Sequence, residues 1–337
     1  MSEKLVEVTR NKVAECIHRG NIAIVDVDGN LVKYTGDIEK YTYMRSAAKP
    51  LQAMNVVISG ADEEFNFSSE EIAIMCASHY AETEHLQVIR QILDKINLDE
   101  KSILAGKSKP LSKKVAFEYA WKNFEDNVLF NDCSGKHAGV LAVCRHKNYT
   151  LNDYISEAHP VNQEILEIIS TMTNYNKDSI ATGIDGCSLP VHAMPLHSMA
   201  RGYANLSNPQ NLKPEYAHAA RRIFNAMVEN PFMIAGTDGF CTDLIANTNG
   251  KLIGKIGAEG VYCVGIKDKG LGIAIKIEDG LMDILPPVVM KVLTDMEILN
   301  DNERKALEKY SIMSNHNDIG TVVGEIKPCF NLKQKSY

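Results

Sequence analysis

The sequence predicts an α+β fold in which strands from both ends of the chain join one antiparallel sheet, with a mainly helical section between them. Strand-like segments gather in the first 34 residues and return after residue 242, whereas the stretch between them shows helix-start chemistry. No internal repeat, low-complexity tract or long linker interrupts the 337 residues. One intertwined unit, 1–337, with its helical section at about 46–230, therefore fits better than a string of modules.

In chain order, residues 6–9, 23–27 and 31–34 read as strands, the last two joined at Asp28-Gly29, a dipeptide suited to a tight hairpin. From Ser46 to about Thr173 the pattern turns helical, and Ser69-Glu70-Glu71 and Glu82-Thr83-Glu84 place acids where they favour helix starts. Further helices are expected at 159–173, 214–229 and 280–299, with Pro286-Pro287 kinking or interrupting the last. Strands are expected again at 243–246, 252–256, 261–266 and 271–277, separated by Asn249-Gly250, Glu259-Gly260 and Asp268-Lys269-Gly270. A final strand is expected near 321–325.

Composition bounds the function. With 45% hydrophobic residues the chain can bury a large core, and a net charge of -7 lacks the basic footprint of a nucleic-acid binder. The apolar runs at 139–144 and 284–290 fall far short of a membrane span of about 20 residues. Residues 1–11 mix charges with isolated valines, unlike an export signal, so a soluble cytoplasmic protein is expected. The eight cysteines are scattered, which predicts reduced thiols; Cys16, Cys144, Cys263 and Cys329 sit among apolar neighbours and read as small hydrophobes.

Chemistry concentrates in a few segments. Ser46-Ala47-Ala48-Lys49-Pro50 places a hydroxyl and an amine one helical turn apart, where they can share a proton if burial or a second cation lowers the lysine pKa. Arg45 and Lys255 are candidates for that cation. Pro50 has no N–H to give the Ser46 carbonyl, which puts Ser46 at a helix entrance with amide dipoles nearby for an oxyanion. Taken alone, the pair also fits a capped surface helix. Cys76-Ala77-Ser78-His79 follows an apolar helix and offers a second hydroxyl, or simply a helix end. Lys255-Ile256-Gly257 ends a strand, where glycine permits close approach of a substrate. Residues 131–137 and 183–190 add polar, glycine-containing segments carrying Cys133, Lys136, His137, Asp185 and Cys187.

The order serine-x-x-lysine, helical serine, then lysine-x-glycine on a late strand is that of serine β-lactamases and penicillin-binding proteins, although Ile256 replaces the hydroxyl residue of their late motif. With Met44-Arg45-Ser46-Ala47-Ala48-Lys49-Pro50, Cys76-Ala77-Ser78-His79, Cys133-Ser134-Gly135-Lys136-His137, Asp185-Gly186-Cys187 and Lys255-Ile256-Gly257-Ala258-Glu259-Gly260, the chain resembles the Rhizobium-type L-asparaginase family over nearly its whole length. The resemblance implies a serine β-lactamase-like fold related to serine glutaminases, two pairs, Ser46 with Lys49 and Ser78 with Lys255, and Ser46 as nucleophile with Ser78 relaying protons. It also implies zinc held by Cys133, Lys136 and Cys187, Asp185 and His137 close to metal or substrate, Arg45 orienting the site, and a homodimer. The expected reaction is hydrolysis of L-asparagine to L-aspartate and ammonia through an acyl-enzyme, with Asp185 facing the substrate ammonium. A glutaminase or other small-amide hydrolase is the nearest alternative, and a zinc-dependent binding protein without turnover is the alternative of another class. The relay fails if Lys251 or Lys276 faces the site in place of Lys255.

Overall fold

The computed structural model describes residues 1–122 and 124–334. Eleven strands form two sheets. The larger, eight-stranded and antiparallel, holds β1 (Glu3–Arg10), β2 (Val13–Asp26), β3 (Leu31–Thr35), β7 (Leu252–Gly257), β8 (Val261–Ile266), β9 (Leu271–Ile277), β10 (Met313–His316) and β11 (Val322–Pro328). Its order is β10-β11-β1-β2-β9-β8-β7, with β3 also paired to β2, so the two chain ends meet in one sheet as the strand pattern predicts. The smaller sheet, β4 (Tyr41–Tyr43), β5 (Ala181–Ile184) and β6 (Pro190–Pro195), has the order β4-β6-β5.

Between the strands lie α1 (Lys49–Ile58), α2 (Ala61–Glu64), α3 (Ser69–Met75), α4 (Thr83–Lys95), α5 (Lys113–Trp121), α6 (Ser134–His146), α7 (Pro160–Thr173), α8 (Leu196–Ser207), α9 (Pro214–Glu229), α10 (Pro231–Ala235) and α11 (Phe240–Ala246). Two more, α12 (Leu285–Asp295) and α13 (Asp301–Ala306), precede the last strands. Every residue of β8 is buried, which requires cover on both faces, and α8 and α12 supply it. Close packing of α8 depends on Gly272, where a side-chain carbon would come within 1.8 Å of the Ala200 carbonyl oxygen. Among the described residues no helix is long and apolar enough to cross a membrane.

Four expectations are corrected. Residues 243–246 belong to α11, whose Cys241, Leu244 and Ile245 turn inward at helical spacing, so the short apolar run is not a strand. Pro286 and Pro287 do not kink a helix; they lie in the first turn of α12, where the missing N–H groups have no intrahelical partner to lose. The helical section contains β5 and β6; β6 is buried throughout and shows no alternation to reveal it. Cys144 and Cys263 are buried as expected, but Cys16 and Cys329 are exposed, because the first half of β2 and the end of β11 extend past the covered part of the sheet.

Candidate active site

The sequence motifs converge where three supports meet: the helical layer, the edge strand β7 and the small sheet. Arg45–Ala48 forms a 3-10 turn that runs into α1, and the Lys49 N–H closes it on the Ser46 carbonyl. Pro50 sits in the first turn of α1, as its missing donor requires. Ser46 is half-buried beside this turn. Arg45 adopts a left-handed backbone, φ 50°, a strained state for a residue with a side chain. Its Nε donates to Asp185 Oδ1 at 2.9 Å.

Lys49 and Lys255 are both fully buried, and a buried ammonium must find partners. Lys49 Nζ donates to the Ala77 carbonyl (2.7 Å), Ser78 Oγ (3.1 Å), the Asp132 carbonyl (3.1 Å) and Asp132 Oδ2 (3.0 Å). Ser46 is not among these acceptors. The expected proton-sharing pair is therefore not the one formed: a single neutral hydroxyl stabilises a buried cation less than a carboxylate and two carbonyls do. Ser78 follows the end of α3, where its N–H donates to the Ile234 carbonyl, and it is 5% exposed. Lys255, on β7 opposite Cys263, donates from Nζ to Ser78 Oγ at 2.7 Å and to its neighbour's carbonyl, Ile256 O, at 2.9 Å. Lys251 instead pairs with Glu303, and Lys276 reaches the Glu259 carbonyl, so Lys255 is the late lysine at the site.

The two amines differ in basicity. Burial, and then the neighbouring Lys49 cation, bring the Lys255 pKa down to about 8. Burial also opposes the charge on Lys49, but the Asp132 carboxylate and then Cys133 outweigh it and hold Lys49 above the usual lysine value. Asp132, in turn, overcomes its own burial through Lys49 and titrates at about 2. The amine poised to take a proton near neutrality is thus Lys255. Asp132 lies outside the motifs that mark the other site residues; its sequence signal is an acid directly before Cys133.

The proposed metal ligands also gather. Cys133 caps α6 and Lys136 lies in its first turn. Cys187 lies in the turn between β5 and β6, and Lys136 Nζ donates to its sulfur at 3.0 Å. Cys187 and burial hold the Cys133 thiol well above its usual pKa, whereas Cys133 and Lys136 favour a thiolate at Cys187. Burial disfavours the Lys136 charge, but the two sulfurs prevail and raise its pKa, so a metal would have to displace that proton. His137 is fully buried; Tyr154 Oη accepts from the Leu104 N–H and has its own hydrogen for His137 Nδ1, 2.7 Å away. The ring hydrogen then lies on Nε2, which is buried without a hydrogen-bond partner among the described residues and feels the Cys187 sulfur. Two soft sulfurs, one amine and this unsatisfied donor beside a sulfur fit a zinc ion with His137 supporting Cys187. Among the described residues no three His, Cys, Asp or Glu side chains form a metal cage, so the site depends on Lys136 as third ligand.

A family model described as L-asparaginase II matches residues 6–328. No curated protein matches the chain. Among solved structures, a beta-lactamase from Mycobacterium bovis is 12% identical, with 82% of this chain and 94% of that one covered and a TM-score of 0.41. A beta-lactamase/D-alanine carboxypeptidase from Pseudomonas syringae is 12% identical over 87% and 92% (TM-score 0.38), and Mglu in its tris and glutamate form is 13% identical over 83% and 59% (TM-score 0.36). Likenesses this distant say nothing about chemistry; the fold stands on its own strand order.

Proposed function

Because the chain belongs to the L-asparaginase II family, we propose that this amidohydrolase converts L-asparagine to L-aspartate and ammonia, with Ser46 as nucleophile and Ser78 with Lys255 as proton acceptor. The observation that carries the reading is the 2.7 Å bond between Lys255 Nζ and Ser78 Oγ, made by an amine that burial and Lys49 bring to about 8. Such a group takes a proton readily at neutral pH and gives it back. Ser46 is the more accessible hydroxyl, and Lys49, one turn after it, bonds to Ser78, so one ammonium ties the two serines' elements together.

In this mechanism Ser46 Oγ attacks the side-chain carbonyl carbon while its proton passes to Ser78 and the Ser78 proton passes to neutral Lys255. Lys49 and Arg45 remain charged and lower the cost of the oxyanion. As the C–N bond breaks, Lys255, through Ser78, returns the proton to the leaving nitrogen and ammonia departs. Water then attacks the acyl-enzyme by the same proton path, and aspartate leaves. Arg45 and Asp185, paired beside Ser46, are proposed to take the substrate's α-carboxylate and α-ammonium. Zinc held by Cys133, Lys136 and Cys187 would supply fixed positive charge and a cross-link beside the substrate groups. In the same reading the enzyme acts in the cytoplasm as a homodimer, which a mass measurement in solution checks.

The test is ammonia release from asparagine and glutamine side by side, since one methylene is worth only about 1 to 3 kcal/mol of discrimination. Wild type should favour asparagine and Ser46→Ala should abolish release. An acyl group trapped and located by mass spectrometry should lie on Ser46. Its appearance on Ser78 would transfer the nucleophile's role, and full activity in Ser46→Ala would end the mechanism.

A further inference from the structure

We propose that Asp132 divides the two buried lysines into one fixed cation and one amine free to exchange its proton, and is thereby a positioning residue for proton transfer at Ser78. The inference rests on the reading that Lys255 accepts the serine proton. Both amines reach Ser78 Oγ, Lys49 at 3.1 Å and Lys255 at 2.7 Å, and neither is exposed. Two ammonium groups on one buried hydroxyl repel with little solvent screening, so one of them gives up its proton more readily than a free lysine does. Their other contacts do not choose between them, because each also has a backbone carbonyl, Ala77 O for Lys49 and Ile256 O for Lys255.

Asp132 breaks this near-symmetry. Its Oδ2 and its own carbonyl oxygen both accept from Lys49, at 3.0 and 3.1 Å. They are aimed there because residues 131–134 are clamped on both sides. Asn131 Oδ1 accepts the Cys133 N–H at 3.0 Å, and Asn131 Nδ2 donates to the Ala105 carbonyl at 3.0 Å. Ser134 Oγ donates to the Leu129 carbonyl at 3.1 Å and, on its other side, meets His79 Nε2 at 2.8 Å. His79 Nδ1 accepts the Ala81 N–H at 3.1 Å, so Nε2 carries the hydrogen and donates it to Ser134. The residue after Ser78 therefore locks the turn that carries Asp132.

The other titratable groups facing the amines are Cys76 and His79 at the end of α3, Cys133, Lys136 and His137 of α6, the last kept neutral by burial, and Cys241 of α11. Burial keeps Cys76 a thiol, pushed up to about 12, and keeps His79 neutral, at about 3. Asp132 is the carboxylate in this set; its hydrogen bonds go to Lys49, and its pull on Lys255 is smaller than the opposing push of Lys49. Without its charge nothing fixes which amine stays protonated, and a smaller share of the molecules carries its neutral amine at Lys255.

The experiment compares Asp132→Asn, Asp132→Ala and Lys255→Met with wild type in the asparagine assay, with melting temperature as the check on folding. Asp132→Asn should lower kcat about tenfold to a hundredfold, leave KM within about twofold and displace the alkaline-rising limb of the pH profile. Because the Asp132 side chain is 24% exposed, formate should reach the gap in Asp132→Ala and restore part of kcat, which chloride should not. Wild-type kcat and pH profile in Asp132→Asn would overturn the role. So would a loss that follows a fallen melting temperature and is indifferent to formate. Retained activity in Lys255→Met would instead remove the reading beneath it, whatever the Asp132 variants do.

Discussion

Lys49 and Lys255 have the same side chain and the same burial, and they differ through a carboxylate that stands 83 positions from Lys49 in the chain. The spacing of Ser46 and Lys49 was legible in the sequence, and so was the principle that a buried amine beside a cation loses basicity. The residue to which the principle applies was not legible, because Asp132 reaches Lys49 only through the packing of α6 against α1. The consequence is a pH dependence with a definite sign. The neutral amine is the active form, so kcat/KM should climb as pH rises through neutrality, reach half its plateau near the Lys255 pKa of about 8, and level off only above it. Ammonia release measured from about pH 6 to about pH 10 at constant ionic strength checks this, both limits being roughly two units either side of that value. A profile that is flat across the range, or falls toward alkaline pH, would exclude Lys255 as the base.

At the scale of elements, the site depends on how closely β7 approaches the turn Arg45–Ala48. A side-chain carbon on Gly257 would meet the Met44 carbonyl oxygen at 2.7 Å and the Ala47 nitrogen at 3.2 Å, both backbone atoms that cannot rotate away. Gly257→Ala should therefore push the edge strand and Lys255 away from Ser46 and Ser78. Overpacking of this kind costs about 1 to 3 kcal/mol, while a displacement near 1 Å at reacting groups costs about a hundredfold in rate. Activity should fall far more than thermal stability, and an alanine variant with wild-type kcat/KM would show that the approach has no catalytic weight. Element boundaries were readable where local chemistry marks them, as at the prolines that open α7 and α9 and at the glycine turns between β7, β8 and β9. They were unreadable where tertiary burial decides. The run 243–246 is too short to separate helix from strand, and β6, buried along its whole length between two prolines, has neither alternation nor propensity to announce it.

Across the whole molecule, Ser46, Ser78, Lys255 and the sulfur pair come from segments that share no local structure, and only the assembled fold brings them together. Cys133 belongs to the start of α6 in the helical layer, whereas Cys187 belongs to the turn of the small sheet that also carries Asp185 against Arg45. A metal bound by both would cross-link these two parts in the native state and would have no such site in the unfolded chain. Ligands of that kind stabilise by mass action, about 2.7 kcal/mol at a hundredfold excess over Kd. In a chain of this length that corresponds to a rise of roughly 4 °C in melting temperature. Zinc-loaded protein should accordingly melt several degrees lower after chelation, and metal analysis should find less zinc in Cys133→Ser and in Cys187→Ser. The chelation shift should also disappear in these variants, because the link between α6 and the small sheet is already cut. If both variants keep their zinc and their sensitivity to chelator, the metal is held elsewhere, and the meeting of the two sulfurs with Lys136 serves only to stabilise a buried thiolate by an ion pair.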